Sequence, residues 1–369
     1  MRVGFDARWY NQSGVGSYIA GLLPALVRAG CELVVYVDPR NPVPGLDRLS
    51  LQSVPVSSRK YSPLATLEFR RREELDKLDL FHCPFYAAPL MRCPVVVTIH
   101  DLIPFLFPIY FWPKQKMVQA GYRAAAKRAA HLIADSHCTA TDLEEILGVT
   151  PDRISIVYLA ADRNVFHPSG GEMEEMLLRE RHSITKPFVL VSSARNWRTK
   201  NLGSSLLALE IVRKEVGITF QTVMYGYTPS AKFKIDDSLN VRHVGFIDSQ
   251  DLAALFRHAG AFLMPSLYEG FGLPLIEAMS CGCPVIASNR GSLPEIAGGG
   301  AQCFDPFDIK GMAKALCALL RSPEELQQKR SVALRRAADF SWDKAAQETI
   351  SVYHHVNRYS QRQPARSRP

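Results

Sequence analysis

The stretch from residue 262 to 288, FLMPSLYEGFGLPLIEAMSCGCPVIAS, constrains the fold more than any other part of the sequence. The apolar run Ala261–Met264 predicts a buried parallel strand, and a loop with two glycines follows it. Pro274 then stands where proline is best tolerated, at the first position of a helix. Gly270 and Gly272 let a ligand approach the backbone, and the free N–H groups of the first helical turn point to the same place. The stretch therefore predicts a strand, a loop and a helix N-terminus that can bind an anion.

Two carboxylates flank this predicted anion site: Glu269 in the loop and Glu277 in the first turn of the helix. Because carboxylates repel phosphate, we expect both to accept hydrogen bonds from neutral hydroxyls on either side of the anion. A nucleotide-sugar has this layout, with a diphosphate between a ribose and a hexose. The alternative is an ordinary strand-loop-helix unit in which Glu277 is solvated or caps the helix.

The same stretch resembles the signature of a known enzyme family, the retaining glycosyltransferases of family 4. The residues that carry the resemblance are Glu269-Gly-Phe-Gly-Leu-Pro-x-x-Glu277-Ala-Met, followed by Gly282-x-Pro-Val-Ile286. The resemblance implies a GT-B fold, an α/β fold in which two Rossmann-like domains face each other across a cleft and a C-terminal helix crosses back to the first domain. In that family the first Glu contacts the donor sugar and the second contacts the ribose.

The domain organisation follows from the length and from the resemblance, which extends over both halves of the chain. A length of 369 residues suits two domains, and 47% apolar with 22% charged residues does not suggest disorder. The predicted segments are an N-terminal Rossmann-like acceptor domain (1–165), a polar and irregular linker (166–186), a C-terminal nucleotide-sugar-binding domain (187–340), a helix that returns to the N-terminal domain (341–358) and a disordered basic tail (359–369).

Another pair of glycines follows the first predicted strand, Arg2–Phe5. Gly14 and Gly16, with Asp38 at the end of the second strand, suggest a dinucleotide-binding fingerprint. However, these glycines come well after the strand, and Ile19 occupies the position of the third glycine. An NAD-dependent oxidoreductase is therefore the weaker interpretation. The family resemblance instead implies a glycine-rich loop near the acceptor and the donor phosphates.

His100 follows a strongly β-prone run, Pro94–Ile99, and so lies at the edge of the sheet where parallel α/β folds bind ligands. A lone histidine is more often structural than functional. Family members carry a His-Asp pair at this position, which implies that His100 contacts the donor sugar. The next residues, Leu102–Pro108, resemble those of bacterial members that build mannose-containing surface polysaccharides.

Two cations, Arg195 and Lys200, lie in a loop past another predicted strand, where they can clamp a diphosphate. The family has Gly-Arg followed five residues later by Lys, and both cations bind the donor diphosphate. In this sequence Ala194 replaces the Gly, and Arg198 adds a third candidate. A solvated basic loop is the alternative interpretation.

The resemblance therefore assigns two groups of site residues. The catalytic group is His100, Glu269, Arg195 and Lys200. The donor-binding group is Gly14, Gly16, Phe246, Gly270, Phe271, Gly272, Leu273 and Glu277. Family members hold the base at the turn that contains Phe246, although this side chain can instead belong to the core.

The sequence gives no sign of a metal site or another cofactor. It contains no Asp-x-Asp motif, which is the usual metal-holding motif of the other main glycosyltransferase fold. None of the eight cysteines forms a pair with zinc-ligand spacing, and reduced thiols are the preferred interpretation. We therefore expect transfer that needs no metal and no cofactor, with the nucleoside-diphosphate sugar as co-substrate.

The charge of the chain bears on its partners. A formal net charge of +8 is compatible with nucleic acid, an acidic membrane surface or solubility alone. Around Lys114 the basic residues mix with Ile109–Trp112, which suits a headgroup interface, and a solvated basic helix face is the alternative. The N-terminus enters a strand directly, and no run reaches the roughly 20 apolar residues of a spanning helix. We expect a cytoplasmic protein without a nucleic-acid partner, and peripheral at the inner face of the membrane if this surface binds lipid.

The resemblance implies a retaining hexosyltransferase that acts in the synthesis of surface polysaccharide such as lipopolysaccharide. The expected donor is a nucleoside-diphosphate sugar, with GDP-mannose favoured and UDP-sugars left open, and the expected acceptor is a glycan, in particular a lipid-linked one. Two alternatives belong to other classes of protein. One is a sugar-nucleotide epimerase of the same fold, and the other is a non-catalytic protein that binds nucleotides or glycans.

Overall fold

The chain folds into two compact α/β units. The computed structural model describes residues 1–10, 13–49, 51–58, 63–193, 198–216, 219–227, 235 and 237–362. Unit 1 consists of Met1–Leu159 and Ser341–Pro369, and unit 2 consists of Ala160–Phe340. Each unit is built on one parallel sheet with helices, which confirms the predicted pair of Rossmann-like folds.

Unit 1 contains a seven-stranded parallel sheet. Its strands are β1 (Arg2–Asp6), β2 (Glu32–Val37), β3 (Gln52–Pro55), β4 (Leu80–Cys83), β5 (Val95–Ile99), β6 (His131–Ala134) and β7 (Ile154–Ile156). Its helices are α1 (Ser13–Arg28), α2 (Pro63–Asp76), α3 (Ile103–Leu106), α4 (Gln115–Arg128), α5 (His137–Leu147) and α13 (Trp342–Arg362). The strand order is β3-β2-β1-β4-β5-β6-β7, so the order reverses between β1 and β4. Ligands of such sheets bind beyond the carboxyl ends of the strands at this point.

Unit 2 repeats this plan with a six-stranded sheet. Its strands are β8 (Phe188–Ser193), β9 (Gln221–Gly226), β10 (Val241–Gly245), β11 (Ala261–Met264), β12 (Val285–Ser288) and β13 (Gln302–Phe304). Its helices are α6 (Glu172–His182), α7 (Leu202–Val216), α8 (Ser249–His258), α9 (Leu273–Ser280), α10 (Leu293–Ala297), α11 (Ile309–Arg321) and α12 (Pro323–Ala337). The order β10-β9-β8-β11-β12-β13 reverses between β8 and β11, which are the strands that precede Lys200 and Glu269.

Apolar side chains form a core in each unit. The core of unit 1 includes the fully buried side chains of Tyr36, Phe69 and Phe81. The core of unit 2 includes Val191 and Leu263, which are register partners on β8 and β11. All eight cysteines are free thiols. In the described ranges, no helix is long and apolar enough to cross a membrane.

The predicted irregular linker contains a helix. Residues Glu172–His182 form α6, so the prediction that 166–186 is irregular is wrong over this range. The helix has three acidic residues in its first turn and three basic residues in its last, which matches the helix dipole. It also packs on α8 through ion pairs, because Arg257 donates to Glu174 (2.9 Å) and His182 contacts Asp251 (2.8 Å). Sequence reading missed α6 because it buries little apolar surface, mainly Leu178, and its other contacts with α8 are polar.

The predicted glycine-rich loop after β1 is also corrected. Gly14 and Gly16 lie in the first turn of α1, where Gly14 is exposed and Gly16 is buried. Glycine disfavours a helix by about 1 kcal/mol, so the sequence predicted a loop here. The apolar face of α1 outweighs that cost, because Tyr18, Leu22 and Leu26 are all fully buried.

The C-terminal helix is longer than predicted. α13 continues to Arg362, so the first four residues of the predicted disordered tail, 359–362, are helical. Val352, Tyr353 and Val356 are buried on one face of this helix, which explains why it forms. Residues 363–369 of the predicted tail lie outside the described residues.

α13 packs on α1 within unit 1. The indole of Trp342 covers Gly21, and a Cβ atom at position 21 would lie 2.0 Å from Cε2 of Trp342. Farther along α13, the hydroxyl of Tyr353 lies 2.5 Å from Nδ1 of the buried His82 on β4. The last helix therefore belongs to the first unit through an apolar contact and a buried polar one.

We predict that Gly21→Ala destabilises unit 1. The added methyl must displace the indole, and overpacking of this kind costs about 1–3 kcal/mol, against about 1 kcal/mol gained from helix propensity. The matched control is Gly203→Ala in α7, where no heavy atom lies within 4 Å of the added Cβ. Urea unfolding of both variants measures the effect. Gly203→Ala should gain about 1 kcal/mol from helix propensity alone, and a Gly21→Ala variant as stable as Gly203→Ala would contradict the described packing.

Candidate active site

The loop that joins β11 to α9 is shaped by Gly272, which caps the helix with a φ of 93°. A Cβ atom at this position would lie 2.8 Å from Cδ2 of Leu293, so both the backbone and the space require glycine. α9 begins at Leu273, one residue before the predicted start, and Pro274 takes the second position. Pro274 has no N–H, and the N–H groups of Leu275 and Ile276 donate to the carbonyl oxygen of Gly272 at 2.9 and 3.4 Å. An anion at this N-terminus would therefore meet the N–H of Leu273 and the positive end of the helix dipole.

The backbone of Glu269 is held by the loop between β12 and α10. Both the N–H and the hydroxyl of Ser292 donate to the carbonyl oxygen of Glu269, at 3.1 and 3.0 Å. Gly291 has a φ of 60°, and a Cβ atom there would lie 2.9 Å from N and O of Glu269. The N–H of Leu267 in turn donates to the carbonyl of Thr199 (2.7 Å), which ties this loop to the one after β8. Backbone contacts therefore fix the two site loops of unit 2 against each other.

Lys200 and Glu269 form an ion pair between these two loops. Nζ of Lys200 donates to Oε1 of Glu269 at 2.5 Å, and the two side chains are 23% and 12% exposed. The sequence predicted that Lys200 binds the diphosphate and that Glu269 binds the sugar. The structure brings the two residues together at the switch point of the sheet, where they neutralise each other.

Glu277 lies in the second turn of α9, not in the first turn as predicted, because the helix begins at Leu273. It does not cap the helix, whose N-cap is Gly272. Burial raises the pKa of Glu277 to about 7. Burial raises the pKa of Tyr225 near the end of β9, and the negative charges of Glu277 and Glu269 raise it further. Near neutral pH, Glu277 can therefore accept or donate a hydrogen bond to a ligand hydroxyl.

Two buried serines lie at the carboxyl ends of the neighbouring strands β8 and β11, which precede Lys200 and Glu269 in the chain. Ser193 ends β8 and is 5% exposed, while Ser266 follows β11 and is 1% exposed. Neither hydroxyl has a hydrogen-bond partner among the described residues. A buried hydroxyl without a partner is costly, so a ligand oxygen at this edge is a natural acceptor for each.

An exposed pair of aromatic rings follows β9 and β10. Phe246 is 73% exposed and Tyr227 is 43% exposed, and their rings meet edge to face at 4.7 Å. Phe246 is therefore not a core residue. Gly226 makes this position of Tyr227 possible, because its φ is 102° and a Cβ atom there would lie 2.1 Å from the carbonyl oxygen of Ser193. Tyr227 N–H then donates to that same oxygen at 2.9 Å.

The other predicted residues of unit 2 fall into different environments. Arg195 lies outside the described residues, together with Ala194. Arg198 is exposed. The ring of Phe271 is buried and packs edge to face on Phe340 at 6.0 Å, so only its backbone can reach a ligand. Gly270 is also buried.

In unit 1, His100 follows β5 and contacts acceptors with both ring nitrogens. Nδ1 lies 2.5 Å from Oδ2 of Asp135, and Nε2 lies 3.1 Å from the carbonyl oxygen of Pro84. The neighbouring Asp101 accepts from the N–H of Ile103 (3.0 Å), so its side chain caps the next turn. The His-Asp motif thus contains one histidine at the strand edge and one structural aspartate.

Two family models match the chain. The model described as "Glycosyltransferase Family 4" covers residues 12–165, and the model described as "Glycosyl transferases group 1" covers residues 175–336. The chain belongs to glycosyltransferase family 4. It is therefore a transferase enzyme, and the suggested epimerase and non-catalytic binding protein are set aside.

Similar proteins agree with this assignment. The glycosyltransferase is 26% identical to the O-antigen chain mannosyltransferase B of Escherichia coli, over 74% of this chain and 74% of that protein. It is 29% identical to the MMP α-(1→4)-mannosyltransferase of Mycolicibacterium hassiacum, over 71% of this chain and 66% of that protein. Among solved structures, HepE of Anabaena in complex with UDP and glucose has a TM-score of 0.72 at 16% identity, over 96% and 99% of the two chains. The predicted GT-B fold is confirmed.

Sequence reasoning missed Ser193, Ser266 and Asp135 of this glycosyltransferase. Each of them ends an apolar strand or follows it within two residues, at the edge where parallel sheets bind ligands. Their position at the strand ends could have marked them as candidate site residues. Their burial and their hydrogen-bond partners could not be predicted from the sequence, because these depend on contacts between distant segments. Among the residues that the structure describes, no group of three or more His, Cys, Asp or Glu is placed to hold a metal ion.

We predict that Glu277→Gln changes how the stability of the glycosyltransferase depends on pH. The folded pKa of about 7 lies above the ordinary value of 4.5, so the contribution of Glu277 is fully present below pH 4.5 and is lost as the pH rises through 7. Glutamine cannot ionise. The free energy of unfolding of the variant, relative to that of wild type, should therefore rise by up to about 3 kcal/mol from pH 5 to pH 8. Urea unfolding at both pH values tests this, and a constant difference would contradict the buried carboxyl.

Proposed function

We propose that this glycosyltransferase moves a hexose, with mannose favoured, from a nucleoside-diphosphate sugar to a glycan or lipid-linked acceptor in the synthesis of polysaccharide or lipopolysaccharide. The transfer retains the anomeric configuration and needs no metal ion. The observation that carries the proposal is the pairing of Lys200 with Glu269 beside the N-terminus of α9. Two relatives that are mannosyltransferases support the choice of sugar.

A nucleotide-sugar satisfies the charges of this site better than a simple anion does. The diphosphate accepts hydrogen bonds from the ammonium of Lys200 and lies at the positive end of the α9 dipole, and a hexose hydroxyl donates to the carboxylate of Glu269. Each partner of the ion pair is then compensated by a different part of one ligand. A plain phosphate would bind Lys200 but leave Glu269 next to a like charge. Glu277 is assigned to the ribose hydroxyls, as the resemblance implies.

The same groups stabilise the departing nucleoside diphosphate, which gains negative charge as the glycosidic bond breaks. Lys200, the N-terminus of the α9 dipole and, by resemblance, Arg195 supply positive charge where a metal ion would otherwise be needed. Glu269 accepts from the Lys200 ammonium through Oε1, and its carboxylate has further lone pairs that can accept from a hexose hydroxyl. In the mechanism that the family favours, the acceptor hydroxyl attacks from the leaving-group face and the departing phosphate takes its proton, so no nucleophilic side chain is required.

The base of the donor is assigned to the aromatic pair Tyr227 and Phe246. Both rings are exposed, and a purine or pyrimidine can stack on such a surface. GDP-mannose is the favoured donor because of the run Leu102–Pro108 and the two mannosyltransferase relatives. UDP-sugars are the competing donors, and HepE was solved with UDP and glucose. A thermal-shift screen with GDP-, UDP- and ADP-sugars identifies the donor, since a ligand of the folded state raises its melting temperature.

We predict that Lys200→Ala weakens binding of the donor selected by this screen by about 2 kcal/mol or more, roughly 30-fold, because a charged hydrogen bond to the diphosphate is lost. Lys214→Ala removes the same charge from the exposed end of α7 and should leave affinity unchanged. Isothermal titration calorimetry measures both. Unchanged affinity in Lys200→Ala would remove this lysine from the donor site.

The acceptor side of the proposal includes a membrane surface on unit 1. Exposed apolar side chains cluster in sequence with exposed lysines at the start of α4: Ile109 is 73%, Trp112 78% and Met117 64% exposed, and Lys114 and Lys116 are exposed beside them. Aromatic and aliphatic groups beside basic ones suit the headgroup region of an anionic bilayer. Such a surface would bring the enzyme to a lipid-linked acceptor at the inner face of the membrane.

We predict that the protein binds vesicles that contain anionic lipid, and that binding falls as ionic strength rises. Trp112→Ser should weaken it at least about fivefold, because a large aromatic surface no longer leaves water. The matched control is Phe307→Ser in unit 2, which removes another exposed aromatic ring (66%) and should have no effect. Vesicle flotation at low and high salt tests this. Vesicle binding that changes neither with salt concentration nor in Trp112→Ser would contradict the assignment of this surface to the membrane.

A further inference from the structure

Asp135 is a buried carboxylate that the assignments above leave without a role. It follows β6 and is 1% exposed. Its Oδ2 lies 2.5 Å from Nδ1 of His100, a residue 35 positions away, whereas its Oδ1 is buried and has no hydrogen-bond partner in the described part of the chain. Burying a carboxylate costs free energy, and only a strong contact offsets this cost. The contact with His100 is therefore the one that stabilises Asp135 in this position.

The contacts of the His100 ring determine how many protons the pair holds. A carbonyl oxygen can only accept, so the Nε2 that faces Pro84 at 3.1 Å must carry a hydrogen. Nδ1 faces a carboxylate oxygen, so a second proton must lie between Nδ1 and Oδ2. With both protons present the pair is neutral overall. If the second proton leaves, a lone pair faces a carboxylate and a net negative charge is buried.

The other described groups around the pair include two rings, a hydroxyl and one further carboxylate. The edge of Tyr18 packs on His100 at a centroid distance of 5.0 Å, and its hydroxyl bonds Thr98 at 3.0 Å. Thr98 is also 2.8 Å from Nε2 of His82, whose pKa is lowered to about 3 by burial and by the charge of His100, so His82 is neutral. Asp101 contributes a negative charge nearby. The packing on Tyr18 fixes the plane of the ring, and Asp135 fixes its rotation within that plane.

We propose that Asp135 is a positioning residue that keeps His100 doubly protonated and oriented, so that the ring meets a sugar or phosphate oxygen only as a hydrogen-bond donor. The proposal rests on the proposed function and on the family resemblance, which implies that His100 contacts the donor sugar. It requires that the ligand atom at Nε2 be an acceptor that replaces the carbonyl of Pro84. A hydroxyl can serve in this way only through its oxygen lone pair.

The direction of titration follows from the same contacts. Burial alone lowers the pKa of His100, but the charge and the hydrogen bond of Asp135 outweigh it, and the pKa is raised above 6.5. Burial also raises the pKa of Asp135, while His100 opposes that rise. The protonated pair is therefore fully present below pH 6.5 and is lost only as the pH rises through the raised value. Without the carboxylate, the loss should occur at lower pH.

The test combines nitrogen NMR of the histidine rings with kinetics. In wild type at pH 7.5, both nitrogens of His100 should show protonated shifts, and in Asp135→Asn the midpoint should fall by at least about one pH unit, a tenfold change in proton affinity. The basic limb of kcat/KM against pH should move down with it, so that the variant loses at least about tenfold at pH 8 and less at pH 6. Asp135→Glu should recover part of the loss, and the exposed Asp47→Asn should behave as wild type.

A His100 ring with one unprotonated nitrogen at pH 7.5 in wild type would overturn the proposal, as would an unmoved midpoint or basic limb in Asp135→Asn. The NMR of wild type decides the question even if Asp135→Asn fails to fold. If no nucleotide-sugar supports transfer, the proposed function is wrong. The NMR experiment needs no substrate, so it still shows whether Asp135 keeps His100 doubly protonated.

Discussion

The account of this enzyme depends on one contact, the ion pair between Lys200 and Glu269. Two opposite charges at an edge that is mostly removed from water stabilise each other only while both are present. A ligand that separates them must offer compensation to each, and this condition selects for a molecule with an anionic part next to a hydroxyl-bearing part. Under the proposed function, the pair makes an anion site at a helix N-terminus selective for a nucleotide-sugar.

The position of the pair is set by glycines and backbone hydrogen bonds. Gly272 and Gly291 have positive φ angles and leave no space for a Cβ atom beside Leu293 and the Glu269 backbone. Ser292 then holds the carbonyl of Glu269 with two donors. Because these contacts involve the main chain, the carboxylate is placed by the fold of the loops and its own side chain remains available to a ligand.

The strand ends and the family were predictable from sequence because apolar runs, glycines and a proline define them locally. Contacts between distant segments were not predictable. The pairing of Lys200 with Glu269 spans 69 positions and that of His100 with Asp135 spans 35, and nothing in either local sequence reports its partner. α6 was missed for a related reason, since side chains on the distant α8 pair with its charged residues.

The same limit explains the smaller errors. Gly14 and Gly16 predicted a loop from their own propensity, but the buried face of α1 decided the outcome. Glu277 was placed in the first turn by taking Pro274 as the first helical residue, and the helix begins one residue earlier. Its raised pKa, which depends on burial, is a property of the folded unit and not of the motif.

The most direct test of the central claim is a crystal structure of the enzyme with its donor bound. The account predicts that Lys200 Nζ leaves Glu269 and lies within hydrogen-bond distance of the diphosphate at the start of α9, while the Glu269 carboxylate accepts from a hexose hydroxyl. A donor bound elsewhere, with the ion pair intact, would contradict it.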